Sequence, residues 1–341
     1  MVKLNKSALV NILIVNYNCW EDTIECIESI FDGTYKNFQI FLVDNNSKDN
    51  SEENIIKYLK SRSIKGVKEN IDYFPNYQYI NGFQNFEFFF KNLNKNSKHD
   101  RTIENSKHNH PIIFLQTAKN LGFAGANNIV LKEIKNQNNY VWLLNPDMIL
   151  DKTTLSNLVK HASSEKSNVI WGSIIKDYYG EKEVITFGGS RVNKHTASIQ
   201  KFKTISDNKI GYIKGCSLFT HLSNFSLNGL LPEEYFLYWE ESDWCFRAKL
   251  NGIKLKTCKE AVVYDKGGKS IGRGYTAEYY FSRNGLIFIN KYFSFFNLIT
   301  STLFGLFKSA YWLFKFKFDR SKGVVHGIYD FYFKHNFPEK I

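Results

Sequence analysis

Apolar residues in the first 150 positions fall into two alternating kinds of segment: short, nearly continuous runs and longer stretches that are apolar along one face. Leu9 to Val15 and Phe38 to Val43 are of the first kind, the pattern of strands buried on both faces. Between them Ile24, Ile27, Ile30 and Phe31 recur at helical spacing, which predicts a helix over Trp20 to Phe31 and so a βαβ unit. A short helix over Asn54 to Lys60 follows. Strand Ile112 to Gln116, helix Ala124 to Lys135 and strand Tyr140 to Leu144 continue the alternation. The pattern predicts an α/β fold with a Rossmann-like, mostly parallel sheet and helices on both faces.

Two stretches break the rhythm. Residues 61–110 are polar, with Leu93 and Ile103 the sole aliphatics from Lys91 to His110, and predict an inserted surface loop. Within it Phe83 to Phe90 is aromatic enough to pack as a helix. From Trp171 to Thr220, glycines at 188, 189, 211 and 215 punctuate short strand-like runs, consistent with mixed-sheet additions, and a helix over 241–250 comes next.

The net charge of +12 raises nucleic acid as a partner, but its placement argues otherwise. Residues 285–341 hold eight Lys/Arg against three Asp/Glu, together with seventeen aromatic residues. Without a Gly-rich RNA motif, that mixture describes a segment lying on a membrane surface, and nucleic acid is set aside. Tyr292 to Phe307 is uncharged but only sixteen residues long, short for a span. With Lys291 and Lys308 at its ends and Lys315 and Lys317 beyond, it predicts amphipathic C-terminal helices in the interface, attracted to anionic lipid. The alternative is a soluble aromatic core, or the dimer face of a homodimer.

Five cysteines without CxxC spacing indicate neither a disulfide framework nor a zinc ribbon, and the N-terminus lacks the h-region of a secretory signal. A cytoplasmic protein, peripheral on the inner face of the cell membrane, is the expectation.

The chemistry is concentrated where strands end. Asp147 closes the apolar run Tyr140 to Leu144 after Asn145-Pro146, and Pro146 blocks extension of the ladder, so Asp147 should sit at a carboxyl edge, where ligands of open α/β sheets bind. Asn-Pro-Asp is also ordinary turn chemistry. Far downstream lies the acidic cluster Glu240-Glu241-Ser242-Asp243, and the pair suggests one metal site and one base. Asn16 and Asn18 follow the first strand beside a helix N-terminus, where a diphosphate or base could lie, although Asn18 could equally cap the helix. Asp44 and Asn46 end the second strand and offer acceptors to a pyrimidine imide N–H, or cap the following helix. Asn120-Leu121-Gly122-Phe123-Ala124-Gly125-Ala126-Asn127 opens the third helix with two glycines that allow a ligand to approach the backbone. No GxGxxG is present, which argues against a dinucleotide dehydrogenase.

Taken together, Ile14-Val15-Asn16-Tyr17-Asn18, Val43-Asp44-Asn45-Asn46-Ser47, Asn120-Leu121-Gly122-Phe123, Leu143-Leu144-Asn145-Pro146-Asp147 and Tyr238-Trp239-Glu240-Glu241-Ser242-Asp243 resemble glycosyltransferase family 2, and its rhamnosyltransferase-like branch best. Arg283-Asn284 resembles the family's later Arg-Asn pair. The resemblance implies a GT-A domain over 1–284, with a nucleotide-binding half at 9–150 and an acceptor half at 151–284, followed by membrane-associating helices over 285–341. It also implies an inverting transfer from a nucleoside-diphosphate sugar, UDP- or dTDP-linked and with dTDP-rhamnose the branch's best-known donor. The acceptor would be a saccharide or lipid-linked saccharide of bacterial surface polysaccharide or lipopolysaccharide synthesis. Asn16, Asn18, Asp44, Asn46, Asn120, Gly122, Phe123, Asn127 and Asp147 would face the nucleotide sugar.

In that reading Asp147 takes the DxD role and carboxylate oxygens suit Mg2+ or Mn2+. Glu241 stands at the family's usual base Asp, one methylene longer. Glu240 is a second candidate, touching donor or acceptor. Asp243 is read as structural, paired with Arg247 four residues on, with Glu240 and Asp243 capping the helix. Met148 leaves no second DxD carboxylate, and Asp265 stands where the family often has a metal-binding His; it completes the metal site or is a loop residue beside Lys266-Gly267-Gly268. These departures motivate the alternative of a catalytically inactive sugar-nucleotide-binding partner in a polysaccharide assembly complex.

Overall fold

The computed structural model describes residues 8–65, 77–81, 112–165, 168–180, 183–267 and 274–334. Its first half alternates as the apolar pattern predicts: β1 (Val10–Asn16), α1 (Trp20–Asp32), β2 (Phe38–Asp44), α2 (Ser51–Lys65), β3 (Tyr77–Asn81), β4 (Ile112–Gln116), α3 (Gly122–Ile134) and β5 (Tyr140–Leu144). The remainder comprises β6 (Met148–Leu150), α4 (Thr154–Ser164), β7 (Val169–Asp177), β8 (Val184–Phe187), β9 (Gly189–Asn193), β10 (Ser198–Lys201), β11 (Tyr212–Ile213), β12 (Ser217–His221), α5 (Ser223–Asn228), α6 (Glu240–Leu250), β13 (Lys254–Asp265), α7 (Tyr275–Tyr292), α8 (Phe295–Phe314) and α9 (Phe318–Phe333).

Among the described residues one ten-stranded sheet runs in the order β3-β4-β2-β1-β5-β12-β7-β13-β6, with β8 paired to β7. The block from β3 to β5 is parallel throughout, and β12 joins it antiparallel to β5. Successive residues of a strand face opposite sides, so Ile12 and Ile14 enter one core with Ile27, Ile30 and Trp142, while Leu13 enters another with Val130, Leu131 and Trp244. Burial on both faces explains why these strands read as continuous apolar runs. A third core joins Tyr235 and Trp239 to Leu286, Phe288, Leu298, Val324 and Phe331 of the three C-terminal helices.

Two expectations change, and a third falls outside the described residues. Residues 61–110 are not wholly an inserted loop: α2 extends to Lys65, and β3 adds an edge strand parallel to β4. The alternating Tyr77-Gln78-Tyr79-Ile80-Asn81 has strand propensity that its polar surroundings masked. The helix expected over Phe83 to Phe90 lies outside the described residues. The boundary at 284 falls in the middle of α7, because Leu286 to Ile289 pack with Trp239 in one core.

Candidate active site

The carboxyl ends of β1 and β2 lie side by side, Asn16 level with Asp44. The Asn16 amide donates to Asp44 Oδ1 at 2.7 Å and to Ser47 Oγ at 3.1 Å, and its own oxygen accepts from Thr23 Oγ1 at 2.7 Å. Asp44 also accepts from the Ser47 hydroxyl at 2.5 Å and from Gln116 Nε2 at 3.4 Å. Both are completely buried, so they brace the floor of this carboxyl edge. Asn18, with φ 53°, accepts from the Lys48 amide at 2.7 Å. The capping alternative for Asn18 fails: Cys19 is the N-cap of α1 and no side chain bonds there. Asn46, with φ 61°, donates to the Ala118 carbonyl at 3.2 Å, and Asn120 accepts from Asn45 Nδ2 at 2.9 Å. Asn45, which sequence reasoning left unassigned, thus ties the β2 edge to the start of α3.

Gly122 does not leave room for a ligand. Its φ is +70°, and a Cβ there would stand 2.1 Å from the Phe236 carbonyl oxygen, which accepts from the Phe123 amide at 2.9 Å. A protein loop therefore fills the space, and the glycine lets α3 touch the segment that leads into Glu240. Asn127 donates to the Phe123 carbonyl at 2.9 Å, while its own side-chain oxygen is buried and unpaired.

Asp147 follows β5 in a turn closed by the Met148 amide on Asn145 O at 3.2 Å. β6 then pairs antiparallel with the end of β13, setting Asp265 level with Met148, and the Lys266 amide donates to Asp147 O at 3.1 Å. This pairing brings together two carboxylates that stand 118 positions apart in the chain. Asp147 Oδ1 is buried without a hydrogen-bond partner. Burial, then the Asp265 charge, push its carboxyl up to about 7. Burial raises Asp265 as well, against the Gly267 amide that donates to it at 2.7 Å. An orphaned carboxylate oxygen beside a second raised carboxylate is a donor set that fits a hard divalent cation, which commonly takes one or two protein carboxylates and fills its shell with phosphate oxygens and water. Lys266, unassigned by sequence reasoning, is held below by Asp22 and by Glu25 at 2.9 Å.

The acidic cluster sits on a strained loop. Phe236, Tyr238 and Trp239 have φ of 64°, 63° and 79°, each costly for a non-glycine residue. Asn284 holds them: its amide donates to the carbonyls of Tyr235, Leu237 and Tyr238 at 2.8, 2.7 and 3.1 Å. Arg283 donates to Tyr235 O at 3.2 Å and lies over the Tyr279 and Tyr280 rings. The Arg-Asn pair is thus the clamp of the Glu240 loop. Replacing Asn284 by Ala is expected to lower unfolding free energy by about 1–3 kcal/mol in denaturant melts, since it orphans buried carbonyls.

Within the cluster the roles separate. Asp243 is fully buried and accepts from Arg247 Nε at 2.8 Å, Tyr235 OH at 2.9 Å and Lys291 Nζ at 3.0 Å. Arg247 also donates to Asn228 O and Leu230 O, anchoring α6. Capping by Glu240 or Asp243 does not occur; Trp239 is the N-cap of α6, with no side-chain bond. Glu240 is buried, with Oε1 unpaired, and burial followed by the Glu241 charge holds its carboxyl well above the usual range. Glu240 is thus enclosed, and Glu241 is the one of the two with solvent access. Glu241 is half-buried and faces Gly215, where a Cβ would lie 3.5 Å from it. Next to Gly215 is Lys214, which donates to Tyr212 OH at 3.1 Å. Burial opposes its charge, but Tyr212 and Glu241 hold its pKa above the ordinary lysine value. Cys216 is the other neighbour; burial raises its thiol, and the Asp265, Asp147 and Glu241 charges add to the effect. The segment Lys214-Gly215-Cys216 hence lies between the carboxylate pair and Glu241. Its glycine was visible in the sequence, but the half-buried lysine was not singled out.

A sequence profile described as Glycosyl transferase family 2 matches residues 11–99 and 84–221. The chain belongs to glycosyl transferase family 2. Within the family it is similar to the rhamnosyltransferase WbbL of Escherichia coli, 22% identical over 161 residues that cover 39% of this chain and 56% of WbbL. It is also similar to the hexosyltransferase Agl10 of low-salt glycan biosynthesis in Haloferax volcanii, 24% identical over 157 residues covering 43% and 50%. The chain thus spans about half the length of these relatives. In fold it is similar to a mannosyltransferase of Pyrobaculum calidifontis solved with GDP-Man and Mn2+, with a TM-score of 0.55 at 12% identity, over 97% of this chain and 89% of that one. The family 2 member therefore has the GT-A arrangement, a Rossmann-like sheet extended by β12, β7, β13 and β6.

Proposed function

We propose that this family 2 member transfers a sugar, with inversion, from a nucleoside-diphosphate donor to a hydroxyl of a saccharide or lipid-linked saccharide in the synthesis of bacterial surface polysaccharide or lipopolysaccharide. The observation that carries the reading is the unpaired Asp147 oxygen beside Asp265, with Glu241 across Lys214-Gly215-Cys216 from them. Asp147 and Asp265 would hold Mg2+ or Mn2+, which supplies charge to the departing diphosphate so that no proton donor is needed. Glu241 accepts the proton of the acceptor hydroxyl as that oxygen bonds to the anomeric carbon. The bond from that carbon to the diphosphate breaks on the opposite face, and its electron pair leaves with the diphosphate. Lys214 places a cation near Glu241 in a site otherwise rich in carboxylates. The GDP-Man and Mn2+ bound to the mannosyltransferase of like fold support a nucleotide-sugar donor and a divalent ion. The resemblance to the rhamnosyltransferase branch favours a UDP- or dTDP-linked donor.

The test is turnover. Purified protein with Mn2+ is offered UDP-, dTDP- and GDP-sugars together with lipid-linked saccharide extracted from bacterial membranes. Nucleoside diphosphate release coupled to a product of inverted anomeric configuration is expected for one donor. Tight nucleotide binding with no sugar moved across the whole panel would replace this reading with that of an inactive binding partner.

A further inference from the structure

α8 is built inside out for a helix exposed to water. The residues it buries are Asn297, Leu298, Ser301 and Ser309, three of them polar. Asn297 meets His195 Nδ1 at 3.0 Å, Ser301 donates to Lys194 O at 3.3 Å, and the Ser309 and Ser321 hydroxyls lie 2.7 Å apart. Its outer face carries Phe296, Ile299, Leu303, Phe307 and Phe314, exposed by 65%, 40%, 59%, 71% and 79%. Their spacing of three, four, four and seven residues places them on one stripe. An amphipathic helix in water does the reverse, because apolar surface is driven out of water.

The charges around the stripe are sorted. Lys308 and Arg320 turn inward to Glu278, Lys308 at 2.6 Å. Lys315 and Lys317 alternate with exposed Phe314, Phe316 and Phe318 in the turn from α8 to α9, and Lys322 follows; none of the three pairs with a carboxylate among the described residues. Lys308 is the one charged residue of α8 and Asp319 the one acid from Phe295 to Lys322, so a second copy would set three unpaired lysines against a single acid. Among the described residues no helix is long and apolar enough to cross a membrane.

We infer that the outer face of α8 and the Phe314 to Phe318 turn lie in the surface of an anionic bilayer, the aromatic side chains in the acyl boundary and the lysines against phosphate headgroups. The docked face is rigidly tied to the site. α8 and α9 share a core with Trp239, which directly precedes Glu240, and a Cβ on Gly285 of α7 would lie 2.9 Å from the Trp239 ring. Docking would therefore fix the position of Glu241 relative to the lipid, which suits a lipid-borne acceptor; that clause alone rests on the transfer reading.

Sedimentation of the full chain with vesicles tests the docking without any turnover. It is expected to sediment with phosphatidylcholine vesicles containing phosphatidylglycerol, less so as salt rises, and to remain in solution with phosphatidylcholine alone. Phe296→Ser combined with Phe307→Ser and Phe314→Ser, or Lys315→Glu with Lys317→Glu, should each weaken vesicle affinity about tenfold or more. Both variants should keep the parent's melting temperature and nucleotide affinity. Unchanged sedimentation of the folded variants overturns the inference, as does a wild-type chain that ignores anionic vesicles and shows a dimer mass in light scattering.

Discussion

Asp147→Asn is expected to abolish transfer and at the same time to stabilise the protein in the absence of divalent cations. Its carboxyl is raised to about 7 in the fold, by burial and then by Asp265, from 3.8 in the unfolded chain. Between those values the folded state binds more protons than the unfolded one, so stability falls as pH rises through that window. Above it the whole cost of ionising a buried, unpaired carboxylate is present. Asn keeps the shape and does not titrate. In EDTA at alkaline pH the variant should therefore exceed the wild type by roughly 2–4 kcal/mol, and the difference should close as pH falls toward 4. Turnover should fall about a thousandfold or more, since charge on the departing diphosphate loses several kcal/mol of stabilisation. Denaturant melts across pH and a donor-turnover assay check the two halves. A variant less stable than the wild type at alkaline pH would show that Asp147 is ordinarily satisfied and not held ready for a cation.

Glu241→Gln carries the second large effect. Removing the proton acceptor should lower kcat by about 10²–10⁴ while donor affinity stays within a few-fold. Glu241→Asp, the shorter carboxylate, should recover part of the rate. Glu240→Gln is the discriminating control: burial raises this carboxyl and disfavours its charge, so the neutral amide is the closer mimic and this variant should retain most activity. Reversal of the two outcomes in a kcat comparison would move the base to Glu240.

Much of this was legible in the sequence, for physical reasons. Strands buried on both faces write continuous apolar runs, and Pro146 marks a strand end, so Asp147 could be put at the carboxyl edge. Asp265 could be offered as its companion by resemblance, yet only the antiparallel pairing of Met148–Leu150 with the end of β13 brings the two carboxylates together, and long-range register leaves no local signal. Gly122 misled because a glycine reports that something approaches the backbone but not what, and here it is the Phe236 carbonyl. Lys214 was passed over since a lysine in a strand-like run normally faces water; here it is half-buried, donates to Tyr212, and keeps its charge against burial because Tyr212 and Glu241 are near. In the tail, aromatic and basic content pointed to lipid, but the inversion of α8, with serines inward and phenylalanines outward, needed the packing.

The central claim is that Asp147, with Asp265, holds a divalent ion against the donor diphosphate. Calorimetric titration of UDP, dTDP and GDP into the wild type and into Asp147→Asn, each in EDTA and in Mn2+, tests it directly. The account predicts that Mn2+ tightens the preferred nucleotide at least about tenfold in the wild type and leaves the variant unchanged. Equal nucleotide affinity with and without Mn2+ in the wild type would contradict it.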